Sequence, residues 1–502
     1  MHKKLMLALA LSASVAAHAQ LEPKHVRLDN PDNAPAPVHP LPHDRQVKWM
    51  ETEFYAFFHY GMDTFTGEEW GFGNTPKATY QPTEKPDPAQ WLQTAKDAGM
   101  RGGIAVVKHH DGFCLWPTKT TDYCVSGDDT PAGFNVAKAF ADAAKGLGMK
   151  YGFYVSPWDR STALYGTDRY VTEMFLKQCQ ELTTYGNDQF EMWFDGANGG
   201  NGHYGGQAPA SRSIDRATYY DVPNLRYMVH KSNPNCVLWG VGGEARWIGN
   251  EAGYAGTTNW CIDNRLEGRD QPTAASGNEN GWIWLPGESD AKSSGGWFWG
   301  EKKDSYTAPN TLFKMYLETV GRNATFILNL PPAKNGKLRD QLVSNMHQLG
   351  ELLRTRLGND FATTANGATI VADETTAART GNYAPENILD NDSTNYYATD
   401  DNTTQADITI DLGQQRSIHY VVLQEYIRLG QRVKAFKIQT SNDLQAWADF
   451  GGSVPTTTIG YKRIIPQSGD TGNYGNGVNA RYVRVRILDC KSVPVISNIG
   501  VY

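Results

Sequence analysis

The run EMWFDGANGG, residues 191 to 200, carries an apolar, strand-like stretch into Asp195 and then into glycines that free the backbone to turn. A carboxylate beside Trp193 and Phe194 is costly to desolvate unless it is paired or employed in chemistry. Further along, GGEARWIGNEAGYA (242 to 255) places Glu244 and Glu251 on either side of Arg246 and Trp247. Double-displacement hydrolysis of a glycoside needs such a pair, one carboxylate as nucleophile and a second carboxyl as acid/base roughly 5–5.5 Å away. Asp195 suits the first role, and either glutamate suits the second. Arg246 is placed to hold an ionised carboxylate or a ring hydroxyl, although the segment read alone is also an ordinary solvated loop.

Other polar groups recur at the ends of apolar runs. His59 ends FYAFFHYG, His109 and His110 end GIAVVKHH, and Tyr154, Trp158 and Asp159 fall in KYGFYVSPWD. Imidazoles, indoles and a carboxylate together suit sugar hydroxyls around an apolar ring face. A zinc site built from His59, His109, His110 and Asp159 is disfavoured because no HxH or HExxH spacing is present. Adjacent histidines on a strand also point to opposite faces unless the strand ends between them. No GxSxG elbow supports serine chemistry.

The elements that must position these groups alternate. DPAQWLQTAKDAGM from Asp87 reads as a helix, with Asp87 as its cap, Pro88 in its first turn, and Trp91, Ala95 and Ala98 at helical spacing. NVAKAFADAAKGLGM follows GIAVVKHH, and RYVTEMFLKQCQELTTYG follows KYGFYVSPWD. Later strand-like runs are CVLWG from Cys236, TTNWC from Thr257, GWIWLP from Gly281 and ATFILNLPP from Ala324. Eight such units in about 340 residues predict a TIM-type (β/α)8-like barrel, whose strand ends converge on one mouth. A doubly wound open sheet is the weaker alternative, since no glycine-rich phosphate fingerprint follows an early strand.

Near residue 360 helical periodicity gives way to short alternating runs such as ADITIDLG, HYVVLQEYI and RYVRVRIL. With their Gly/Asn/Asp turns they predict an antiparallel β-sandwich of about 140 residues. The expected division is residues 1–19, 20–358 and 359–502, with no long linker and hence a packed interface between the two larger parts. The first piece, MHKKLMLALALSASVAAHA, has the charged, apolar and small-x-small regions of a secretory signal peptide, which predicts export to a periplasm or beyond. No later stretch is apolar enough to span a bilayer. A net charge of −7 without long runs of one sign gives no nucleic-acid footprint. The six cysteines are scattered singly, which favours buried free thiols over a disulfide framework.

The runs FFHYGMDTFTGEEWG, VVKHHDGFCLWPTKTTDYCV, GFYVSPWD, MWFDGANG, RWIGNE and VGRNATFILNLPP resemble the family 29 α-L-fucosidases, in order, across nearly all of residues 45 to 355. RWIGNE and LPGESDAKSSGGWFWG further resemble the subgroup selective for α-1,3/1,4-linked fucose in Lewis-type branches. The resemblance implies a retaining enzyme with Asp195 as nucleophile and Glu251 as acid/base. It also implies fucose contacts from His59, Glu69, Trp70, His109, His110, Tyr154, Trp193 and Arg246, with Trp297 in the GGWFWG loop serving a second sugar. The subgroup usually has Pro-Asp before the Arg-Trp pair where this chain has Gly243-Glu244, so Glu244 is the second choice for the acid. Trp247 and Ile248, beside Glu251, are suited to enclosing a general acid.

APENILDNDSTNYYAT from Ala384 and ARYVRVRIL from Ala480 resemble the discoidin-like, factor V/VIII type C modules. That fold often holds a structural calcium, for which Asp390 and Asp392 are in place, although Asn498 stands where an acid is common. The expectation is therefore an exported retaining α-L-fucosidase that needs no cofactor for catalysis and acts on fucosylated oligosaccharides. The alternatives are a fucose-binding protein without catalysis, or a retaining glycosidase of other specificity.

Overall fold

The computed structural model describes residues 33–197, 212, 214–264, 273–452, 454–467 and 477–502. The segment expected to be a signal peptide, residues 1–19, lies outside the described residues. Eight parallel strands come first: β1 (Phe54–Phe58), β2 (Gly102–Lys108), β3 (Lys150–Val155), β4 (Glu191–Phe194), β5 (Val237–Gly240), β6 (Arg246–Trp247), β7 (Gly287–Lys292) and β8 (Ala324–Asn329). Neighbours run β5-β4-β3-β2-β1-β8-β7-β6. A parallel bridge between Trp239 and Ala245 joins β5 to the residue before β6, so the sheet closes into a barrel in chain order.

The first strands are apolar over most of their length because both of their faces are covered. In β1, Phe57 packs inward against Trp193 and Tyr154, while Phe58 stacks outward on Trp91. The outer layer includes α1 (Asp44–Met50), α2 (Pro88–Asp97), α3 (Val136–Leu147), α4 (Leu176–Thr183), α5 (Val222–Ser232), α6 (Pro309–Thr319) and α7 (Asp340–Leu357). Asp87 caps α2 by accepting from the Gln90 amide at 3.0 Å, and Asn135 caps α3 through the Lys138 amide at 3.0 Å. No helix among the described residues is long and apolar enough to cross a membrane.

Two expected strands are not part of the barrel. TTNWC and GWIWLP lead into and contain a small antiparallel pair, Ile262–Asp263 with Ile283–Trp284, outside the main sheet. Their places are taken by β6, only two residues long, and by β7, whose sequence GESDAK is mostly polar. A search for apolar runs passes over both. Strand β7 is nevertheless buried, because it sends Glu288 into a polar layer inside the barrel. There Glu288 accepts from Tyr55 and, at 2.7 Å, from Trp193 Nε1, while Glu191 accepts from Trp49 Nε1 at 2.8 Å. Burial pushes Glu191 up to about 8 and, with the charge of Glu191 beside it, pushes Glu288 well above the carboxylate range.

The C-terminal part is a β-sandwich built from β9 (Thr369–Ile370), β10 (Tyr397–Ala398), β11 (Ala406–Ile418), β12 (Tyr420–Glu425), β13 (Val433–Ser441), β14 (Ala448–Phe450), β15 (Arg463–Pro466), β16 (Val478–Cys490) and β17 (Val495–Val501). One sheet has the order β9-β11-β16-β13-β14 and the other β10-β17-β12-β15. Tyr420, Val422 and Ile464 of the second sheet join the apolar core of the barrel, and Lys462 pairs with Glu53 at 2.6 Å. The expected packed interface is present. All six cysteines are buried and unpaired. Asp390 and Asp392 accept bonds from within their own turn, from the Asp392 amide, Thr394 and Asn395, and Asn498 is bonded to Gln424.

Candidate active site

A cavity of about 820 Å³ opens among the residues that follow the C-terminal ends of the barrel strands. His59 comes immediately after β1. Strand β2 ends at Lys108, so His109 and His110 are released from strand alternation and both line the cavity, their ring centroids 4.1 Å apart. Tyr154 of β3 stacks on Trp193 of β4 at 5.1 Å, and Trp193 stacks on Trp239 at 3.8 Å. These rings form an aromatic wall, held in place by the bonds from Trp193 Nε1 to Glu288 and from the Tyr154 hydroxyl to Asp195.

Asp195 follows β4 directly. Its Oδ1 accepts from the Ala197 amide at 2.7 Å and its Oδ2 from the Tyr154 hydroxyl at 3.1 Å. Burial pushes its carboxyl above the usual value, the two hydrogen bonds and the neighbouring His109 offset part of this, and the charge of Glu251 adds to it. His110 Nε2 lies 3.8 Å from Asp195 Oδ2. Behind the rings, His59 Nδ1 is 2.8 Å from Asn329 Oδ1 and His110 Nδ1 is 2.6 Å from Ser156 Oγ. Burial lowers the basicity of His59, His109 and His110, which keeps the three rings neutral near pH 7.

Sequence reasoning passed over the support behind His109. Its Nδ1 faces Asp63 Oδ2 at 3.5 Å, and Asp63, His109 and Asp111 bring one ligand atom each within 4.8 Å, the one such grouping among the described residues. Burial pushes Asp63 up to about 7 and Asp111 well above the carboxylate range. Asp63 lies in the GMDTFTGEEWG run, where an acid in a short buried helix was the available signal. The set of His59, His109, His110 and Asp159 does not assemble. Asp159 turns away from the cavity to pair with buried Lys108 at 2.7 Å, and Trp158 packs behind His110.

The opposite wall comes from β6, β7 and the loops after them. Arg246 lines the cavity, but its guanidinium donates to Ala274 O, Leu285 O and Asn259 Oδ1 and meets no carboxylate there among the described residues. Glu251 lines the same cavity, accepts from Trp297 Nε1 at 3.2 Å and faces Lys292 Nζ at 3.5 Å. Its side chain is 48% exposed, so the expected enclosure by Trp247 and Ile248 is absent. Ile248 is buried against Ala255 and Ala324, and Trp247 Nε1 donates to Asp290 at 2.8 Å. Asp290 also reaches the cavity wall, with its carboxyl pushed well up by burial. It was missed because it sits inside a polar run.

Glu244 is separated from this wall. It is bound by Arg45 of α1 at 2.8 Å, by His230 at the end of α5 at 3.2 Å and by the Leu238 amide at 3.0 Å, and it does not line the cavity. Burial alone would raise its pKa, but these partners hold it below the usual value. At the rim, Glu69 pairs with Lys303 at 2.5 Å, and half-exposed Trp70 stands edge-on to His110. Trp297 stacks obliquely on His59 with centroids 5.0 Å apart.

The chain matches the family described as Alpha-L-fucosidase over residues 38–356 and the F5/8 type C domain over residues 369–499. It is 32% identical to Alpha-L-fucosidase 1 of Arabidopsis thaliana over 476 residues, covering 93% of this chain and 88% of that one. A glycoside hydrolase 29 family member from an unknown rumen bacterium shares 34% identity and superposes with a TM-score of 0.78, covering 93% of this chain and 78% of that chain. A Ruminococcus gnavus GH29 fucosidase, solved in complex with fucose, is 29% identical with a TM-score of 0.81, covering 93% and 96% of the two chains. With the barrel, the carboxylate-lined mouth and these relatives in view, the chain belongs to the α-L-fucosidases of glycoside hydrolase family 29 and carries an F5/8 type C domain behind its catalytic barrel.

Proposed function

We propose that this enzyme removes terminal α-1,3/1,4-linked L-fucose from Lewis-type branches with retention of configuration. The observation that carries the reading is that Asp195 and Glu251, from different strand ends, line one cavity together with the imidazoles of His59, His109 and His110. Asp195 attacks the anomeric carbon while Glu251 gives its proton to the departing glycosidic oxygen. The resulting ester is opened by water, whose proton returns to Glu251 as the Asp195 carboxylate is released. Tyr154 and the Ala197 amide hold the nucleophile in place. His59, Glu69, Trp70, His109, His110, Tyr154, Trp193 and Arg246 are assigned to the fucose ring.

The linkage preference is supported by the bond from Trp297 to Glu251: with Glu251 as the acid, the GGWFWG loop belongs to the leaving-group side of the cleavage point. Binding energy from a branched aglycone is then available in the transition state. Export rests on the leader-like N-terminal sequence. The presence of two carboxyl groups on one cavity wall disfavours a purely sugar-binding role. The test is product analysis on defined substrates. Proton NMR should show the α-anomer of fucose first, and kcat/KM should be much higher for a Lewis trisaccharide than for 2'-linked fucose or a simple aryl fucoside. A β-anomer appearing first would overturn retention, and equal kcat/KM on all three would overturn the linkage assignment.

A further inference from the structure

We infer that Asn329 and Ser156 act as positioning residues that fix the tautomers of His59 and His110, so that each ring presents a bare Nε2 to the cavity as an acceptor for a sugar hydroxyl. The inference rests on the reading of this cavity as the fucose site.

The assignment follows from counting protons. Asn329 Nδ2 donates to the carbonyl of Trp297 at 2.7 Å, which turns its Oδ1 towards His59. The reverse orientation of the amide would set two acceptors, Asn329 Oδ1 and Trp297 O, against each other. An Oδ1 atom 2.8 Å from His59 Nδ1 must be met by a proton on that nitrogen. At Ser156 the hydroxyl has one proton, and it goes to the carbonyl of Trp158 at 2.6 Å. Ser156 Oγ is then an acceptor, and His110 Nδ1 at 2.6 Å is its donor.

Both rings are buried and neutral, so a proton on Nδ1 leaves a lone pair on Nε2. In water a free neutral imidazole side chain prefers the opposite tautomer, so the backing bonds determine what the cavity presents. For His110 the lone pair faces Asp195 Oδ2 across 3.8 Å, two acceptors with no proton between them. That arrangement becomes satisfied when an O–H donor arrives. A lone pair set opposite a group that cannot donate loses its hydrogen bond, so the site discriminates for hydroxyls and against substituents such as fluoro or methoxy.

The full chain, labelled with nitrogen-15 in histidine, permits a direct reading at mildly alkaline pH. Ring signals are assigned by their loss in His59→Gln and His110→Gln. Two-bond proton–nitrogen spectra of the unliganded protein should show the proton on Nδ1 in both rings. Asn329→Ala and Ser156→Ala should shift the proton of the corresponding ring towards Nε2 and raise KM for an aryl fucoside at least tenfold, with a smaller change in kcat. Ser156→Thr, which keeps the hydroxyl, should restore the His110 tautomer. A proton on Nε2 of either ring in the unaltered protein overturns the tautomer assignment without need of any variant. Tautomers as expected with KM unmoved in both alanine variants overturn the hydroxyl-acceptor role. Because the spectra need no substrate, they decide the tautomers even if fucosides prove not to be cleaved, an outcome that would instead remove the functional reading.

Discussion

Arg246 and Asn259 are joined side chain to side chain, Nη2 donating to Oδ1, and through this pair the sandwich reaches the wall of the catalytic cavity. The Asn259 backbone N–H donates to Thr458 Oγ1 at 3.0 Å, and its backbone carbonyl accepts from Gln431 Nε2 at 3.1 Å. Both partners belong to the C-terminal module. A module that only leaned on the barrel from outside would not touch a residue that braces a cavity arginine.

Ending the chain near Asp360 should therefore do more than uncover the apolar faces now closed by Tyr420, Val422 and Ile464. We expect lower soluble yield, a lower Tm and a raised KM in whatever folds. Gln431→Ala is the milder form of the test, removing hydrogen bonds worth about 1 kcal/mol each while leaving the interface in place. Differential scanning calorimetry and kinetics on an aryl fucoside check both. Unchanged KM in a folded truncation would show that Asn259 holds Arg246 without help from the sandwich.

Glu251→Ala should lower kcat/KM on a natural fucoside by about 10²–10⁴-fold, the usual contribution of a general acid/base. Aryl fucosides with good leaving groups should still form the ester. Azide should then restore turnover to a product of retained configuration, whereas azide with Asp195→Gly should give the inverted one. Polarimetry or NMR of the azide adducts distinguishes the two.

Glu244→Ala should behave differently. Removing it leaves Arg45 and His230 without their carboxylate and breaks a largely buried pairing, a loss of order 3–5 kcal/mol in stability. Because the folded protein holds this carboxyl below its usual pKa, its stabilisation is present at neutral pH and is lost as pH falls through the folded value. Thermal melts at several pH values report it. A stable Glu244→Ala protein without hydrolysis would move the acid role to Glu244.

With Asp195 as nucleophile, its raised pKa should put the acid limb of kcat/KM above the pH at which an ordinary aspartate ionises. The Tyr154 hydroxyl donates to the ionised form and so pulls the limb down. Tyr154→Phe should move it upward, and a pH–rate profile of the two proteins gives the comparison. Glu251, His109 and His110 face the same carboxylate and are unaltered in that pair.

The polar layer beneath the site gives a pH dependence of the opposite sense to that of Glu244. Glu191, raised to about 8, keeps in the folded state a proton that the unfolded chain releases above about pH 4.5. Stability from this group should fall as pH rises from about 4.5 towards 8. Glu191→Gln should flatten that slope, giving its largest gain at alkaline pH, as denaturant unfolding at pH 5 and pH 8 would show.

Much of this arrangement can be read from residue order. Apolar runs mark β1 to β5 and β8, and the convergence of strand ends in a barrel brings His59, His109, His110, Tyr154, Trp193 and Asp195 together. What escapes is whatever depends on distant partners. Strand β7 is hidden because Glu288 and Asp290 find their acceptable burial only through Trp193, Tyr55 and Trp247, residues from three other strands. Asp159 and Glu244 look as available as Asp195 until Lys108 and Arg45 are seen to claim them. Periodicity reports which way a side chain points along its own element and nothing about which charge waits across the gap.

Six buried, unpaired thiols have a practical consequence. Five of them, Cys114, Cys124, Cys179, Cys236 and Cys261, belong to the barrel part, and Cys490 ends β16 of the sandwich. A maleimide reagent in solution should therefore find almost nothing to alkylate in the native protein and should mark each part only when that part opens. The protein thus contains its own labelling clocks: the mass added at Cys490 against that added at the other five, followed through a slow thermal ramp, would tell which half lets go first.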